Sequence, residues 1–278
     1  MARVLTSLAA SVLMVGCVSP SSLTYQQPAL SQGNATWCEA PGFQLDGAEA
    51  AHCEVRPIRV DLTRPIRVDA GVAGGIAASG WDRDDATVEA RILVFSSDER
   101  RARSLAEQVV FREGDALSAS VPRTRRGELV DVSYRLRLPR HTELDLSTQN
   151  GGIDVRGMVG TTRYRTVNGG VDLTDLGGDV SGTTLNGSAQ VRLTGTTWVG
   201  EGLDVHVVNG TLSLSLPEAY SASLDAQVTN GDLDYGIPTP TPSATDILER
   251  RVAKLSLGDG GPLVRLRTQN GRLAIKGH

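Results

Sequence analysis

Lysine is almost missing from this chain: Lys254 and Lys276 are the only two, and arginine carries the rest of the positive charge. Aromatic residues make up 4% of the 278, too few to build the stacking platforms that hold single-stranded nucleic acid or sugar rings. The formal net charge is −4, and it becomes one unit more negative if Arg3 leaves with a leader. Such a chain is unsuited to holding a polyanion, so nucleic acid is excluded as a partner. Histidine is confined to His52, His141, His206 and His278, scattered over unrelated segments with no metal-ligand spacing. No Gly-Xaa-Ser-Xaa-Gly elbow and no phosphate-cradling loop occurs. These absences leave no catalytic residue, no metal ligands and no cofactor to expect. Long hydrophobic runs are missing too. The apolar run from Val4 to Val15 is too short to span a bilayer as a permanent helix.

That run reads instead as the core of a targeting leader, residues 1–16, with Arg3 as its positive start. It ends in Leu13-Met14-Val15-Gly16-Cys17, which resembles the lipobox of bacterial lipoproteins, with Met14 where Leu is commoner. The resemblance implies lipidation of Cys17, and several acyl chains are what stable anchoring needs. The alternative is an ordinary secretory signal with Cys17 there by chance. Val18 follows, and the absence of Asp at that position favours the outer membrane over inner-membrane retention. Two cysteines then remain, Cys38 and Cys53, and an even remainder in an exported chain points to a disulfide. A zinc site is disfavoured because His52 is the only neighbouring His. Residues 17–56, small, polar and proline-punctuated, read as a tether holding the body off the membrane, with a disulfide-closed segment from Trp37. Trp37 is expected to pack against the bridge, the alternative being that it shields the end of a core.

Residues 57–139 read as strands with one helix. Ile58–Leu62 and Ile66–Ala70 alternate apolar and polar side chains, and Thr87–Phe95 is the strongest strand pattern. Arg56-Pro57-Ile58-Arg59-Val60-Asp61 recurs as Arg64-Pro65-Ile66-Arg67-Val68-Asp69, a duplication at spacing 8. Asp98–Val109 is an amphipathic helix, with Ser96 and Ser97 as N-caps and Ala102, Leu105, Ala106 and Val109 as its apolar stripe. Arg100, Arg101 and Arg103 on that helix, and Arg123, Arg125 and Arg126 in a hairpin tip, read as solvated surface more readily than as an anion site.

What the chain does have is an Asn-Gly pair that keeps returning. It stands at Asn150, Asn168, Asn186, Asn209, Asn230 and Asn270, each followed by Gly, at intervals of 18, 18, 23, 21 and 40. A period near twenty with a turn at fixed phase is the mark of a stacked repeat. Three and five residues after each Asn the positions are apolar, as in Ile153 and Val155 or Leu212 and Leu214. Two and six residues before it stand Thr or aliphatic residues, as in Thr166 and Thr162. The parity change places a corner at Asn-Gly, puts Asn itself in the inward set, and lets the six amides stack as a ladder. The alternative is an isolated hairpin turn at each pair. The expected fold is all-β: a β-solenoid of 18–23-residue rungs over residues 140–278, preceded by the strand-rich half. A proline-rich insertion near 236–262 interrupts it, with a short helix or loop over Asp246–Leu255.

The Gly74-Gly75-Ile76 strand start, the single helix before Val121-Pro122, the Leu136-Arg137-Leu138-Pro139 run and the Thr-Xaa-Asn-Gly repeats resemble the putative adhesin domain family. That likeness covers about Ile58 to Gly277 and implies a bacterial envelope β-solenoid. The proline-rich interruption and the Cys38–Cys53 segment depart from its simplest form. The function expected is a non-enzymatic, lipid-anchored envelope module that binds or spaces, with a membrane partner through lipid and a protein or polysaccharide ligand unknown. An accessory or sensor role in envelope-stress signalling is the second reading. A β-helix polysaccharide lyase is the enzymatic rival, because Asp154, Asp172 and Asp234 share a phase and Arg156 follows the first. Outward Asp on successive rungs more often serves solubility.

Overall fold

The structure is a computed structural model that describes residues 37–38, 49–237 and 247–278. The leader, Cys17, most of the expected tether and Pro238, Pro240 and Pro242 of the insertion lie outside the described residues. In chain order the elements are β1 (Ala50–Ile58), β2 (Ile66–Asp69), β3 (Ile76–Trp81), β4 (Thr87–Ser96), helix α1 (Glu99–Glu107), β5 (Val110–Glu113), β6 (Leu117–Ser120) and β7 (Leu129–Pro139). There follow β8 (Leu144–Asn150), β9 (Ile153–Arg156), β10 (Thr162–Asn168), β11 (Val171–Thr174), β12 (Asp179–Arg192), β13 (Gly202–Leu216), β14 (Ala222–Gly236), β15 (Ile247–Glu249), β16 (Val252–Leu257) and β17 (Leu263–Gly277). All seventeen strands join one sheet, and α1 is the single helix among the described residues.

The sheet folds over on itself at the Asn-Gly positions. Its front runs β5-β6-β2-β8-β10-β12-β13-β17-β14-β16-β15, and its back runs β1-β4-β7-β3-β9-β11-β12-β13-β17-β14. Strands β12, β13, β14 and β17 pass through the corner and belong to both. From β2 and β3 to β14 the neighbours are parallel and in register, Asn opposite Asn: Asn168 faces Asn150, Asn186 faces Asn168, and Asn209 faces Asn186. Period-two apolar residues from front and back meet between them in one core. Leu144, Leu146, Ile153 and Val155 supply one layer, and Leu203, Val205, Leu212 and Leu214 another. At the N-terminal end, α1 lays Ala102, Leu105 and Ala106 onto this core. At the other end Ala253, Leu255 and Leu257 of β16 close it.

Several expectations change. β1 starts at Ala50 and pairs along its whole length with β4, so the sheet begins before the expected end of the tether at residue 56. The Ile58–Leu62 strand does not form beyond Ile58. Asp61 Oδ1 accepts from the Thr63 amide (3.0 Å) and hydroxyl (2.7 Å), and this side-chain turn competes with a ladder. Asp98, rather than Ser96 or Ser97, caps α1: its carboxylate accepts from the Arg101 amide at 2.9 Å. The sheet also crosses residue 139 without a break, because β3 pairs with both β7 and β9.

Two corrections concern the repeat. From Ile247 to Leu257 the chain forms a β15–β16 hairpin where a short helix or loop is expected, because Val252–Leu257 alternates and buries every second residue against the end of the core. And chain order is not stacking order: β17 sits between β13 and β14, parallel to both. A further rung, β2–β3, belongs to the stack although it carries no Asn-Gly. Gly74 takes the corner place there, with φ +146°.

Candidate functional site: the corner and outer faces of the stack

The six asparagines are brought into one column at the corner. Asn150 Nδ2 donates to the Val72 carbonyl (2.7 Å), and Asn168 donates to Asn150 Oδ1 (2.7 Å). Asn186 donates to Asn168 (3.0 Å), Asn209 to Asn186 (2.9 Å), Asn270 to Asn209 (2.9 Å) and Asn230 to Asn270 (2.9 Å). Each inner member donates once and accepts once. The side chains are exposed, which corrects their placement in the inward set: the backbone turns at the Asn, so the amide leaves the core's parity one residue early.

The glycines beneath them are required by close approach. A Cβ on Gly169, Gly187 or Gly210 would collide with the carbonyl oxygen of the glycine one rung away. Gly187, Gly210, Gly231 and Gly271 also take φ between +137° and +148°, whereas Gly169 does not, so at that corner space alone makes the demand. Inside the corner, Thr148, Thr166, Thr184 and Thr268 are buried. Thr148 Oγ1 donates to the Gly74 carbonyl (2.7 Å) and Thr166 Oγ1 to that of Gly151 (3.2 Å). This column holds rungs together and turns no polar group toward a ligand except the amides already used.

The front face carries a row of alternating charge. Reading across the register, Arg67, Asp145, Arg163, Ser181, Asp204, Arg265, Asp225 and Lys254 lie side by side. Arg265 reaches both Asp204 (3.4 Å) and Asp225 (3.6 Å), and Arg267 reaches Asp204 at 2.6 Å. On the back, Arg272 meets Asp234 at 2.6 Å. All these pairs are partly exposed, worth about 0.2–1 kcal/mol each as neighbours across strands. Their effect on pairing choice is larger than on total stability.

The residues that would serve a lyase are only partly assembled. Asp154 and Asp172 stand on adjacent rungs, but Gln190, Ser213 and Ala274 separate Asp172 from Asp234. Arg156 holds Asp154 through two bonds, 2.7 and 2.8 Å. Burial pushes the Asp172 carboxyl up, the nearby Asp154 adds to this, and Arg156 opposes it. Among the described residues no three His, Cys, Asp or Glu side chains are placed to hold a metal ion. The histidines stay apart: His52 lies 3.4 Å from Glu54, and His278 bonds Ser215 at 2.9 Å. Of the arginines in the helix and hairpin tip, Arg101 is held by Glu128 (2.8 and 3.1 Å) and Arg103 by Glu99 (2.9 Å).

The back face near the N-terminal end carries a cluster that the sequence reading did not name. Cys38 and Cys53 are joined, with their Cα atoms 5.6 Å apart, and this places Trp37 over the sheet. Its ring stacks on the guanidinium of Arg135 (4.1 Å) and lies 5.4 Å from that of Arg91. Arg91 also donates to the Trp37 carbonyl (3.3 Å) and lies 3.5 Å from Asp131. Ser133 donates to Asp131 (2.8 Å) and accepts from the Gly75 amide (3.0 Å). Burial raises the Asp131 carboxyl while Arg91 opposes the rise, and burial lowers the Arg135 guanidinium. The signal available in sequence was Arg91 and Arg135 inside two otherwise apolar strands, since charges there need partners.

No family model and no curated protein matches this chain. Among solved structures, a putative cell adhesion protein from Clostridium sporogenes superposes with a TM-score of 0.44 at 13% identity, covering 82% of this chain and 100% of that one. A putative lipid binding protein from Parabacteroides distasonis gives 0.33 at 9% identity, covering 82% and 98%. A putative adhesin from Bacteroides fragilis gives 0.31 at 10% identity, covering 81% and 97%. At these scores the likeness carries no argument about function.

Proposed function

We propose that this protein is a non-enzymatic β-solenoid of the bacterial cell envelope, anchored by lipid at Cys17 and acting as a binding module or spacer. The observation that carries the reading is the in-register parallel stack, whose polar side chains are spent on neighbouring rungs. Such a body offers long flat faces and rigid length rather than a reactive centre. The Trp37 clamp supports the anchored arrangement. It fastens the chain that leads back to Cys17 onto the N-terminal end of the sheet, so a pull on the lipid would be borne by the Cys38–Cys53 bridge. The outer membrane is favoured by Val18, and a protein or polysaccharide is the ligand class for the faces.

The anchor is tested by feeding radiolabelled palmitate to cells making the full chain. Label in the wild type, lost in Cys17→Ser, is the expected result, and an unlabelled wild type overturns the anchor. The binding role is tested by crosslinking whole envelopes. Capture of polysaccharide or surface matrix is expected, whereas a single regulatory protein would replace this reading with an envelope-stress sensor. Calcium-dependent eliminase turnover on pectate-like polymers, lost in Asp172→Ala, would replace it with a lyase.

A further inference from the structure

The duplicated hexapeptide has no part in the stack's corner, yet both copies converge on one place. The loop after β1, residues 59–65, and the start of β2 form one lip of a cleft of about 270 Å³, and the β5–β6 turn forms the other. Arg59 comes from the first copy and Arg64 and Arg67 from the second. The opposite lip carries Glu113 and Asp115. Buried Ile66 and Leu117 make an apolar floor, with Val60 packed beside them.

Asp61 stands among the arginines of the first lip, which still outnumber it, and among the described residues no ion pair bridges the two lips. Arg64 pairs with Asp61 (3.3 Å) and Arg67 with Asp145 (3.9 Å). Arg59, Glu113 and Asp115 form no ion pair among the described residues. Farther along the front face Arg265 and Arg267 meet Asp204 directly, whereas here the charges face one another across the cleft. The volume lies just below the usual range for small-molecule sites, a size that suits a small ligand. A dipeptide spans about 7 Å when extended, with a cation at one end and an anion at the other.

We infer that this cleft binds the two charged ends of a short zwitterionic peptide, its carboxylate on Arg59 and its ammonium between Glu113 and Asp115. The apolar floor takes a small aliphatic side chain. The guanidinium fork suits a carboxylate, and the paired carboxylates suit an ammonium. The inference deepens the binding-module reading and rests on it, but its test is separate from that of the lipid anchor.

The test is calorimetric titration of the full chain in detergent with L-alanyl-L-alanine. N-acetylated and C-amidated forms of the same dipeptide serve as single-charge probes. Saturable binding of the zwitterion is expected, weakened at least about tenfold by either cap and by Arg59→Ala or Glu113→Gln. Arg59→Lys should restore part of the loss, which separates charge recognition from damage to the fold. No saturable heat up to about 10 mM overturns the inference. So does equal binding of the three probes, or full affinity in Arg59→Ala. In each of those outcomes palmitate labelling at Cys17 is unaffected, and only the cleft is lost as a site.

Discussion

Asn168 shows what a single residue contributes to this molecule. It donates to Asn150 and accepts from Asn186, so Asn168→Ala removes two amide bonds and leaves two exposed partners to water. A loss of about 1–2 kcal/mol is expected in urea unfolding, without change in any ligand affinity. An unshifted midpoint would sink the idea that the ladder stabilises the stack. Tyr164 and Gly182 show the opposite economy. The Tyr164 ring occupies the space in which Gly182, its neighbour in register, lacks a side chain. Gly182→Val should therefore cost about 3 kcal/mol or prevent folding. The Tyr164 hydroxyl is buried without a protein partner, and burial holds its pKa well above the usual phenol value. Tyr164→Phe should leave stability unchanged or raise it by up to about 1 kcal/mol, because the lost group gained nothing on burial. A loss above that would reveal a hydrogen bond the hydroxyl is making.

At the scale of elements, charge explains why β17 lies between β13 and β14. Stacked in chain order, β14 would set Asp225 against Asp204. Inserting β17 gives both acids Arg265 and gives Asp234 Arg272. Arg265→Asp should destabilise by about 1–2 kcal/mol through three adjacent carboxylates, and salt should recover part of the loss. A loss insensitive to salt would assign the effect to packing. The join between α1 and β7 titrates instead. Glu128 accepts from Arg101 and from the Arg125 amide, and these bonds hold its carboxyl down at about 2. Because the folded value is depressed, this stability is full above about 4.5 and is lost as pH falls from there toward 2. Glu128→Gln should lower the melting temperature at pH 6 and approach the wild type near pH 2. A constant difference across that range would contradict the assignment.

The repeat was legible because every rung makes the same local demands: aliphatics at fixed phase, a glycine where carbonyls crowd, an Asn beside it. The β2–β3 rung lacked the Asn and was hidden, although Gly74-Gly75-Ile76 repeats the phase of Gly151-Gly152-Ile153. The order of the last two strands was not legible from periodicity, since any rung fits any other; only the pairing of Asp225 and Asp234 with Arg265 and Arg272 encodes it. The cleft was half legible. The hexapeptide duplication was visible, but the Asx turn at Asp61 that separates the copies, and the turn carrying Glu113, meet only in space.

For the molecule as a whole, the Cys38–Cys53 bridge and the Trp37 clamp set the strength of one end. The bridge closes a 15-residue separation, for which the chain-entropy model gives roughly 3 kcal/mol. Replacing both cysteines with serine should cost about that much and free Trp37 from Arg135, seen as a red shift in its fluorescence. Unchanged emission would mean the ring stays on the sheet without its tether.

The position of β17 makes folding a competition. When β13 and β14 have formed but β17 has not, each offers the other an open edge in a register the repeats make acceptable. The pair that is nearest in sequence closes fastest, because its loop is shorter. Refolding must then undo that contact before the last strand can thread between. A chain built of interchangeable rungs thus has a misassembled form only one strand exchange away. The arginines of β17 bias which of the two arrangements survives.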